Sequence, residues 1–463
     1  MNSALLMETT EPATPERRDA RPRRVLMICF AYPPVGGVGM IRPAKFVKYL
    51  PQFGYAPAVL TPSAGMARLR CDADVGQSPA ATIHRTSYRD IVADVRAVLR
   101  MPASVAVSAA AANRPLPSER AGWRRTVTRL AYGAIAVPDE HVGWKRPALD
   151  AARALLARER FDLVYSTSPP ETAHLIARAI KQEFGIPWVA DLRDLWSGDH
   201  YRQRSGAKRW LLGRIERRTL RDADALVTVS EPWRRQLAAV YATRARRVEC
   251  IPHGFDADDY AASVTPPDRF TITYTGTLDR HFQNPEPFFA ALGDLVRRGD
   301  VERERIRANF HVFGDNLPDL EALSDAHDLR GIVRRCAPLE YRACLTAQQS
   351  STALLAVQWR SQAGEGNPPL KVYDYLGARR PILVVGSGER VLGPLLTETG
   401  AGMTAADGSA IARILADWYR EFRASGHLQW RGCEARLGAY TRRAQTARLA
   451  ALFDSVVDGA AGA

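Results

Sequence analysis

A loop of small residues followed by a short helix carries the side chains best suited to chemistry. The segment is Gly364-Glu365-Gly366-Asn367-Pro368-Pro369-Leu370-Lys371-Val372-Tyr373-Asp374-Tyr375-Leu376. Asn367 and the prolines favour a helix start, and Gly377 and Pro381 favour its end. Lys371 and Asp374 lie three residues apart, so both leave one face near the positive N-terminal end of the helix. An ammonium and a carboxylate placed in this way suit a phosphate and a hydroxylated sugar.

The overall charge also indicates an anionic partner. The 463 residues carry a net charge of +14, and only six of the 64 basic residues are lysines. This balance suits nucleic acid, an acidic lipid surface or phosphorylated small molecules. The absence of helix-turn-helix, zinc-finger and aromatic RNA-binding patterns disfavours nucleic acid. Because lysine is rare in this chain, Lys371 is a more selective choice than an arginine would be.

Size and composition limit the classes of protein to which the chain can belong. Hydrophobic residues make up 46% and charged residues 25% of the chain, as in soluble globular proteins, and the length allows two or three domains. No apolar run approaches the ~20 residues of a membrane-spanning helix. Residues 1–22 lack the apolar core of a signal peptide and are expected to be a disordered extension. Six scattered cysteines without C-x-x-C spacing predict a reduced cytosolic protein without a structural zinc.

The pattern of a buried parallel strand, a glycine-containing turn and a helix occurs twice. The first unit runs from Arg24 into a loop with Gly36 and Gly37, and the second runs from Phe270 to Gly276. Backbone N–H groups at such a helix start can bind an anion. A chain that restarts on a first strand is typical of a second Rossmann-like half.

Two acidic segments compete for a catalytic role. Asp191-Leu192-Arg193-Asp194 follows a strand, where open α/β sheets bind ligands, so Arg193 and Asp194 are catalytic candidates; a structural salt bridge is the alternative. Asp222-Ala223-Asp224 matches a metal-binding D-x-D pattern, but it precedes a strand. A turn between a helix and a strand is therefore favoured there, and no metal is expected.

The least readable part of the chain is residues 64–137. Residues 92–101 and 120–137 have helical spacing, and the second segment places arginines around Trp123. A basic amphipathic helix of this kind could dock on an anionic bilayer or pack by its apolar face, and both interpretations stay open.

Several motifs resemble those of family 4 glycosyltransferases with the GT-B fold. The segment 369–376 with Arg380-Pro381 is similar to the family's donor motif, which is roughly P-S-K-L-F-E-Y-L. Asp374 stands where the family has the second glutamate of E-x7-E, whereas Glu365 lies one position outside the place of the first. Residues 248–256 resemble the family's I-P-N-G-V-D segment, and the motifs follow the family's order along the chain.

The resemblance implies an α/β protein of the GT-B class, with two Rossmann-like domains facing each other across a cleft and a C-terminal helix crossing back to the N-terminal domain. The implied parts are a disordered extension (1–22), an N-terminal acceptor domain (23–252), a C-terminal nucleotide-sugar donor domain (253–430) and a C-terminal helix (431–463).

The resemblance also implies the residues of the site. Lys371, Arg193 and Asp194 are expected to be catalytic, and Gly36, Gly37 and Arg42 are expected to form an acceptor and phosphate loop. The expected donor-binding residues are Gly276, Thr277, Arg280, Glu365, Gly366, Asn367, Leu370, Lys371 and Asp374.

The implied reaction is metal-independent transfer of a sugar, with retention, from a nucleotide diphosphate sugar to an acceptor hydroxyl. Polysaccharide or lipid-linked glycan assembly is the expected setting. A glycosyltransferase that tailors secondary metabolites, a nucleotide-sugar 2-epimerase of the same fold and a non-catalytic anion-binding protein are the alternatives. No cofactor is expected besides the donor co-substrate. The acceptor is a glycan, a lipid-linked molecule or a small molecule, and no nucleic acid is expected. The expected location is the cytoplasm, with peripheral contact at the inner membrane face left open.

Overall fold

The computed structural model describes residues 21–35, 37–63, 75, 79, 81–91, 94, 137–198, 206–241, 247–314, 316–359, 366–388 and 390–461. Gly36, Glu365, nearly all of the predicted extension 1–22 and nearly all of the predicted helices at 92–101 and 120–137 lie outside these residues.

The first lobe is built on a parallel sheet of seven strands within the described residues. They are β1 (Arg23–Ile28), β2 (Tyr55–Pro62), β3 (Thr82–Thr86), β4 (Leu163–Ser168), β5 (Trp188–Leu192), β6 (Ala225–Thr228) and β7 (Arg247–Cys250). The strand order is β3-β2-β1-β4-β5-β6-β7. The helices are α1 (Val38–Tyr49), α2 (Lys145–Leu156), α3 (Thr172–Phe184), α4 (Gly206–Leu220) and α5 (Glu231–Tyr241).

The second lobe repeats this plan with six parallel strands in the described part of the chain. They are β8 (Phe270–Thr277), β9 (Ile306–Phe313), β10 (Val333–Cys336), β11 (Ala353–Val357), β12 (Ile382–Val385) and β13 (Gly402–Ala405). The order is β10-β9-β8-β11-β12-β13. The helices are α6 (Glu286–Arg297), α7 (Leu320–Ala326), α8 (Tyr341–Gln349), α9 (Leu370–Ala378), α10 (Leu392–Thr399), α11 (Gly408–Ser425) and α12 (Glu434–Leu437).

The central strands are apolar because helices cover both faces of each sheet. Residues 25–28 of β1 and 353–357 of β11 are fully buried, and their side chains alternate between two core clusters on opposite faces of the sheet. The prediction of two separate Rossmann-like sheets is confirmed. The predicted boundary between residues 252 and 253 stays a prediction.

The last helix, α13 (Arg442–Ala461), returns from the second lobe to the first. Phe453 is fully buried, with its ring centroid 5.4 Å from that of Tyr55 and 6.0 Å from that of Tyr165. The Arg23 guanidinium pairs with Asp454 on the same helix. The predicted crossing of the C-terminal helix is therefore confirmed.

Two chain segments pass side by side between the lobes. The N–H of Phe255 donates to the carbonyl of Tyr440 at 3.1 Å, and the N–H of Arg442 donates to the carbonyl of Phe255 at 2.7 Å. These backbone bonds join the two segments where they cross between the lobes. Over the residues that the structure describes, no helix combines the length and apolar character needed to span a membrane.

Candidate active site

The carboxyl ends of the two sheets face each other across the cleft. Met40 and Ile41 of α1 pack against Tyr341 and Leu370 of the second lobe. The hydroxyl of Ser230, just after β6, donates to the carbonyl of Gly366 at 2.6 Å. Ligands of open α/β sheets bind outside the carboxyl ends of the strands, so this seam is where a substrate of either lobe is expected.

Helix α9 opens on the cleft without a side-chain cap. Its N-cap is Pro369 in an extended conformation, and no side chain among the described residues caps the first turn. The prediction that Asn367 caps the helix is therefore wrong, because the helix starts two residues later than a cap at Asn367 requires. The N–H of Val372 donates to the Pro369 carbonyl, whereas those of Leu370 and Lys371 have no acceptor within the described residues and lie at the positive end of the helix dipole.

Lys371 lies against the glycine end of β8, 94 residues earlier in the chain. Its ammonium donates to the Tyr274 hydroxyl at 2.5 Å and to the Thr277 carbonyl at 3.0 Å. A Cβ built on Gly276, whose φ is +96°, would lie 3.4 Å from the Lys371 ammonium. Burial lowers the pKa of Lys371 to about 7. The structure thus joins three of the predicted donor residues, Gly276, Thr277 and Lys371, into one cationic corner.

Arg280 occupies a neighbouring position beyond the end of β8. It lines an open cavity of about 390 Å³ together with residues at the starts of α6 and α7, namely Gln283, Asn284, Pro285, Pro318, Asp319, Ala322 and Leu323. Its guanidinium remains exposed, whereas its backbone N–H is bonded to the Asn316 carbonyl. Arg280 is therefore free to turn towards an anion held at the end of β8.

Asp374 is buried on the same helix, one turn after Lys371. Burial raises the pKa of its carboxyl to about 7; Arg442 and Lys45 act to lower this pKa, and Asp259 acts to raise it. Its backbone carbonyl accepts a hydrogen bond from Tyr260 at 2.7 Å. The carboxyl can therefore change its protonation state close to neutral pH.

Sequence reasoning missed the charged residues that surround Asp374. Lys45 of α1 lies 2.7 Å from Asp256 and 2.5 Å from Asp259, and Tyr341 donates to Asp259 at 2.9 Å. Arg442 is 1% exposed, and neither of its terminal amino groups has a hydrogen bond among the described residues. The rarity of lysine was a signal that could have drawn attention to Lys45, whereas no local pattern marks Arg442.

The guanidinium of the predicted catalytic residue Arg193 binds backbone carbonyls of the protein. Its guanidinium donates to the carbonyls of Gly39, Ser168 and Pro169 and is nearly buried. Three of its five N–H groups are thus used within the first lobe, where Arg193 joins the ends of β4 and β5 to the start of α1. The catalytic role of Arg193 stays a prediction. Asp194 stays partly exposed beside it.

Arg42 is also directed away from the loop to which it was assigned. Its guanidinium makes two hydrogen bonds to Asp191, at 2.8 Å and 3.2 Å, and a third to the Pro252 carbonyl at 2.9 Å. Both partners of the ion pair are buried. The salt-bridge alternative considered for the 191–194 segment therefore applies to Asp191. Gly37, in contrast, caps α1 at the cleft with φ +113°.

His253 is a neutral imidazole that lies near three arginines between the lobes. Burial, followed by the nearby charges of Arg42, Arg442 and Arg193, moves its pKa well below the usual value. Its ring centroid lies 5.9 Å from that of Tyr373. Among the described residues, no three His, Cys, Asp or Glu side chains are grouped to hold a metal ion.

The D-x-D segment at 222–224 serves the first lobe as a structural turn. Asp222 pairs with Arg178 at 2.6 Å, and Asp224 pairs with Lys181 at 2.5 Å, so both carboxylates bind helix α3. Asp224 also accepts the backbone N–H of Trp188 at the start of β5. The prediction of a turn between a helix and a strand agrees with this geometry.

Comparison with known proteins matches part of the chain to a family and the whole chain to a fold. Residues 47–254 match the model of the glycosyl transferase 4-like domain. The fold is similar to that of sucrose-phosphate synthase from Thermosynechococcus elongatus, at 14% identity and a TM-score of 0.60 over 94% of this chain and 100% of that chain. It is equally similar to α,α-trehalose 6-phosphate synthase from Burkholderia multivorans, at 13% identity and a TM-score of 0.60 over 96% and 98%.

A protein assigned as a UDP-N-acetylglucosamine 2-epimerase from Listeria monocytogenes shares the fold at 12% identity and a TM-score of 0.51, over 94% of this chain and 96% of that chain. No curated protein compared with the chain matches it. Residues 47–254 thus match a glycosyl transferase 4-like domain, and the chain as a whole shares the two-lobed GT-B fold of these glycosyltransferases.

Proposed function

We propose that the enzyme transfers a sugar, with retention, from a nucleotide diphosphate sugar to an acceptor hydroxyl in polysaccharide or lipid-linked glycan assembly. One observation carries the proposal: the Lys371 ammonium is held at the glycine end of β8, beside the open N-terminus of α9. A diphosphate placed there meets a cation and free N–H groups together. Tailoring of a secondary metabolite is the second setting compatible with this site.

Charge on the leaving group explains why such a corner would promote transfer. Negative charge builds on the diphosphate as the bond to the sugar breaks, and donors that are already oriented stabilise it without reorganisation. Lys371, Arg280 and the start of α9 supply those donors, so the proposal requires no divalent ion. In a retaining reaction on one face, the departing diphosphate can accept the proton of the attacking hydroxyl.

The remaining residues divide between donor and acceptor. Asp374 would accept hydrogen bonds from the nucleotide ribose, and Gly366, Asn367 and Leu370 would line the path to the sugar. Asp194 would face the acceptor, with Arg193 as the residue that positions its loop. Closure of the lobes over the donor would exclude water and limit hydrolysis.

Substitution of Lys371 by alanine tests the proposal. We expect affinity for nucleoside diphosphates to fall about 10- to 100-fold, since a charge-assisted hydrogen bond is lost. Calorimetric titration of the enzyme with UDP, GDP, ADP and dTDP measures this. Arg298→Ala is the matched control, because Arg298 directly follows the C-terminal end of α6, at the opposite end of that helix from the cavity lined by Arg280, and should leave binding unchanged. Equal affinities for wild type and Lys371→Ala would refute the diphosphate role.

The 2-epimerase alternative is distinguished by the products. An epimerase converts the nucleotide sugar when no acceptor is present, whereas the proposed transferase leaves it intact or hydrolyses it slowly. Incubation of the donor alone, followed by chromatography of the nucleotide sugars, separates the two activities.

A further inference from the structure

Helix α4 presents an outer face that the proposed transfer reaction does not use. Its inner face is anchored: Leu212 is buried, and the Glu216 carboxylate accepts the Ser197 N–H at 2.9 Å and the Tyr241 hydroxyl at 3.1 Å. Residues four apart on a helix share a face, so Trp210, Arg214 and Arg218 lie together on the side away from Leu212.

The outer face combines two exposed apolar side chains with arginines. Trp210 is 61% exposed and Leu211 is 40% exposed, although both belong to residue types that are usually covered. The Arg214 guanidinium lies 5.2 Å from the centroid of the Trp210 ring. Three further exposed arginines extend the face along the helix: Arg217, Arg218 and Arg221.

The charge on this face has one sign. The only acidic residue of α4, Glu216, is buried and bonded on the inner side. Within the part of the chain that the structure describes, Arg214, Arg217 and Arg218 form no ion pair with a carboxylate on α4 or on a neighbouring element. A solvated helix of a globular protein usually mixes both signs and keeps tryptophan covered, so the composition of this face requires a different explanation.

We propose that the outer face of α4, formed by Trp210, Leu211, Arg214, Arg217 and Arg218, docks on the surface of an anionic phospholipid bilayer. Tryptophan and leucine favour the boundary between headgroups and acyl chains, and arginines beside them bind lipid phosphates while their methylene stems cover apolar surface. The helix has 15 residues, and its buried side packs on the first lobe, so it lies along the membrane surface without entering the bilayer core.

Docking by α4 also orients the cleft. Ser197, which bonds to Glu216, lies three residues after Asp194 on the acceptor side. The docking helix is therefore hydrogen-bonded to the segment that follows Asp194, so a lipid-linked acceptor would reach the cleft from the membrane. This last step rests on the proposed function, whereas the docking itself does not.

Co-sedimentation with lipid vesicles tests the docking surface. Wild-type enzyme should sediment with mixed phosphatidylcholine and phosphatidylglycerol vesicles, bind poorly to pure phosphatidylcholine, and be released by added salt. Each neutralised arginine should lower partitioning about fivefold, so Arg214→Gln/Arg218→Gln should lose on the order of 25-fold. Trp210→Ala should lose on the order of tenfold.

The matched control is Arg297→Gln/Arg298→Gln on α6 of the second lobe, which removes the same charge from another exposed helix end. If the control and α4 variants lose partitioning equally, attraction by net charge explains the binding and the proposal is overturned. Failure of wild type to bind anionic vesicles overturns it as well, and would direct attention to an acidic protein as the partner of this face.

A second measurement reports the depth of Trp210 directly. Vesicles with brominated acyl chains should quench part of the tryptophan fluorescence of wild type, and this part should be missing in Trp210→Phe. Quenching that persists unchanged in Trp210→Phe would exclude α4 as the inserted element. Titration of the α4 variants with nucleoside diphosphate should give wild-type affinity, which separates failure of docking from failure of the proposed transfer.

Discussion

Lys371 and Asp374 reach a pKa of about 7 from opposite directions, because burial opposes the charged form of each. In the proposed complex both must be charged: the ammonium faces the diphosphate and the carboxylate accepts from the ribose. Groups with this kind of perturbation are concentrated at functional sites. The residues that act on them, Cys344 for Lys371 and Arg442, Asp259 and Lys45 for Asp374, come from other elements.

Donor affinity should therefore have a maximum near pH 7. Below this pH, Asp374 takes up a proton and loses its role as acceptor; above it, Lys371 loses its proton and no longer attracts the diphosphate. Affinity should fall by up to about tenfold per pH unit on each side. Calorimetric titration from acid to alkaline pH measures the profile.

Two variants show which residue causes the loss of affinity on each side of the pH maximum. Lys371→Arg keeps its charge at high pH and should lose the alkaline limb, whereas Asp374→Asn should lose the acid limb. A wild-type profile that both variants retain would show that other groups control binding.

The pair of Arg42 and Asp191 should matter for stability, because both charges are buried and hydrogen-bonded. Arg42→Ala leaves the Asp191 carboxylate buried without its cation, which costs about 3–5 kcal/mol of unfolding free energy. Urea unfolding followed by circular dichroism measures the loss. The exposed pair of Arg153 and Glu183 provides the control: Arg153→Ala should leave the unfolding midpoint nearly unchanged. Equal effects of the two substitutions would contradict the structural role of Arg42.

At the scale of the elements, α13 acts as a strap that joins the second lobe to the first. It begins in the paired crossing at Phe255 and ends against β1 and β2. Helix α9 is held by the close approach of Tyr260 to Gly377. A Cβ on Gly377 would lie 2.4 Å from the Tyr260 hydroxyl, and this hydroxyl donates to the Asp374 carbonyl. Gly377 therefore lets Tyr260 of the interlobe segment pack closely against α9.

Phe453→Ala should weaken the packing of α13 on the first lobe and destabilise that lobe by about 3–5 kcal/mol, because it leaves a cavity between Tyr55 and Tyr165. Thermal unfolding of the full chain measures the effect. Phe184→Ala, at a phenylalanine that is 39% exposed at the end of α3, should change the midpoint much less. If the two variants unfold alike, α13 contributes little to the first lobe.

In the whole molecule, a few contacts across the cleft join the two lobes directly. The Ser230 bond to Gly366 and the packing of Met40 and Ile41 on Leu370 join the first lobe to the start of the donor segment. Gly366 allows this approach, because a Cβ there would lie 2.7 Å from the Trp233 indole nitrogen. Closure and the donor site thus share one loop.

Gly366→Ala should hold the cleft partly open. We expect a larger radius of gyration in small-angle X-ray scattering and a turnover at least about tenfold lower, since catalytic groups that are misplaced by an ångström lose most of their effect. Gly408→Ala is the control, because a Cβ at Gly408 meets no atom within 4 Å. Wild-type turnover and dimensions in Gly366→Ala would exclude a role of this contact in closure.

Local pattern predicted many of the elements of this protein and its plan of two lobes. The apolar run from Arg24 predicted the buried strand β1, and the restart at Phe270 predicted the first strand of the second lobe, because a buried strand carries its apolar residues in its own sequence. The segment 369–376 was identified by its resemblance to a family motif, and it forms α9. The structure brings Lys371 of this segment against Gly276 and Thr277.

Only the tertiary structure decided what those side chains touch. Arg42 meets Asp191 across 149 residues, Arg193 turns to three carbonyls, and Arg442 reaches the surroundings of Asp374 from the last helix. Local periodicity reports which face of an element is covered, but it does not report which distant residue covers it. The distant residues that pack on a side chain determine its direction, its burial and therefore its pKa. The electrostatics of the cleft thus depend on both lobes and the crossing helix together.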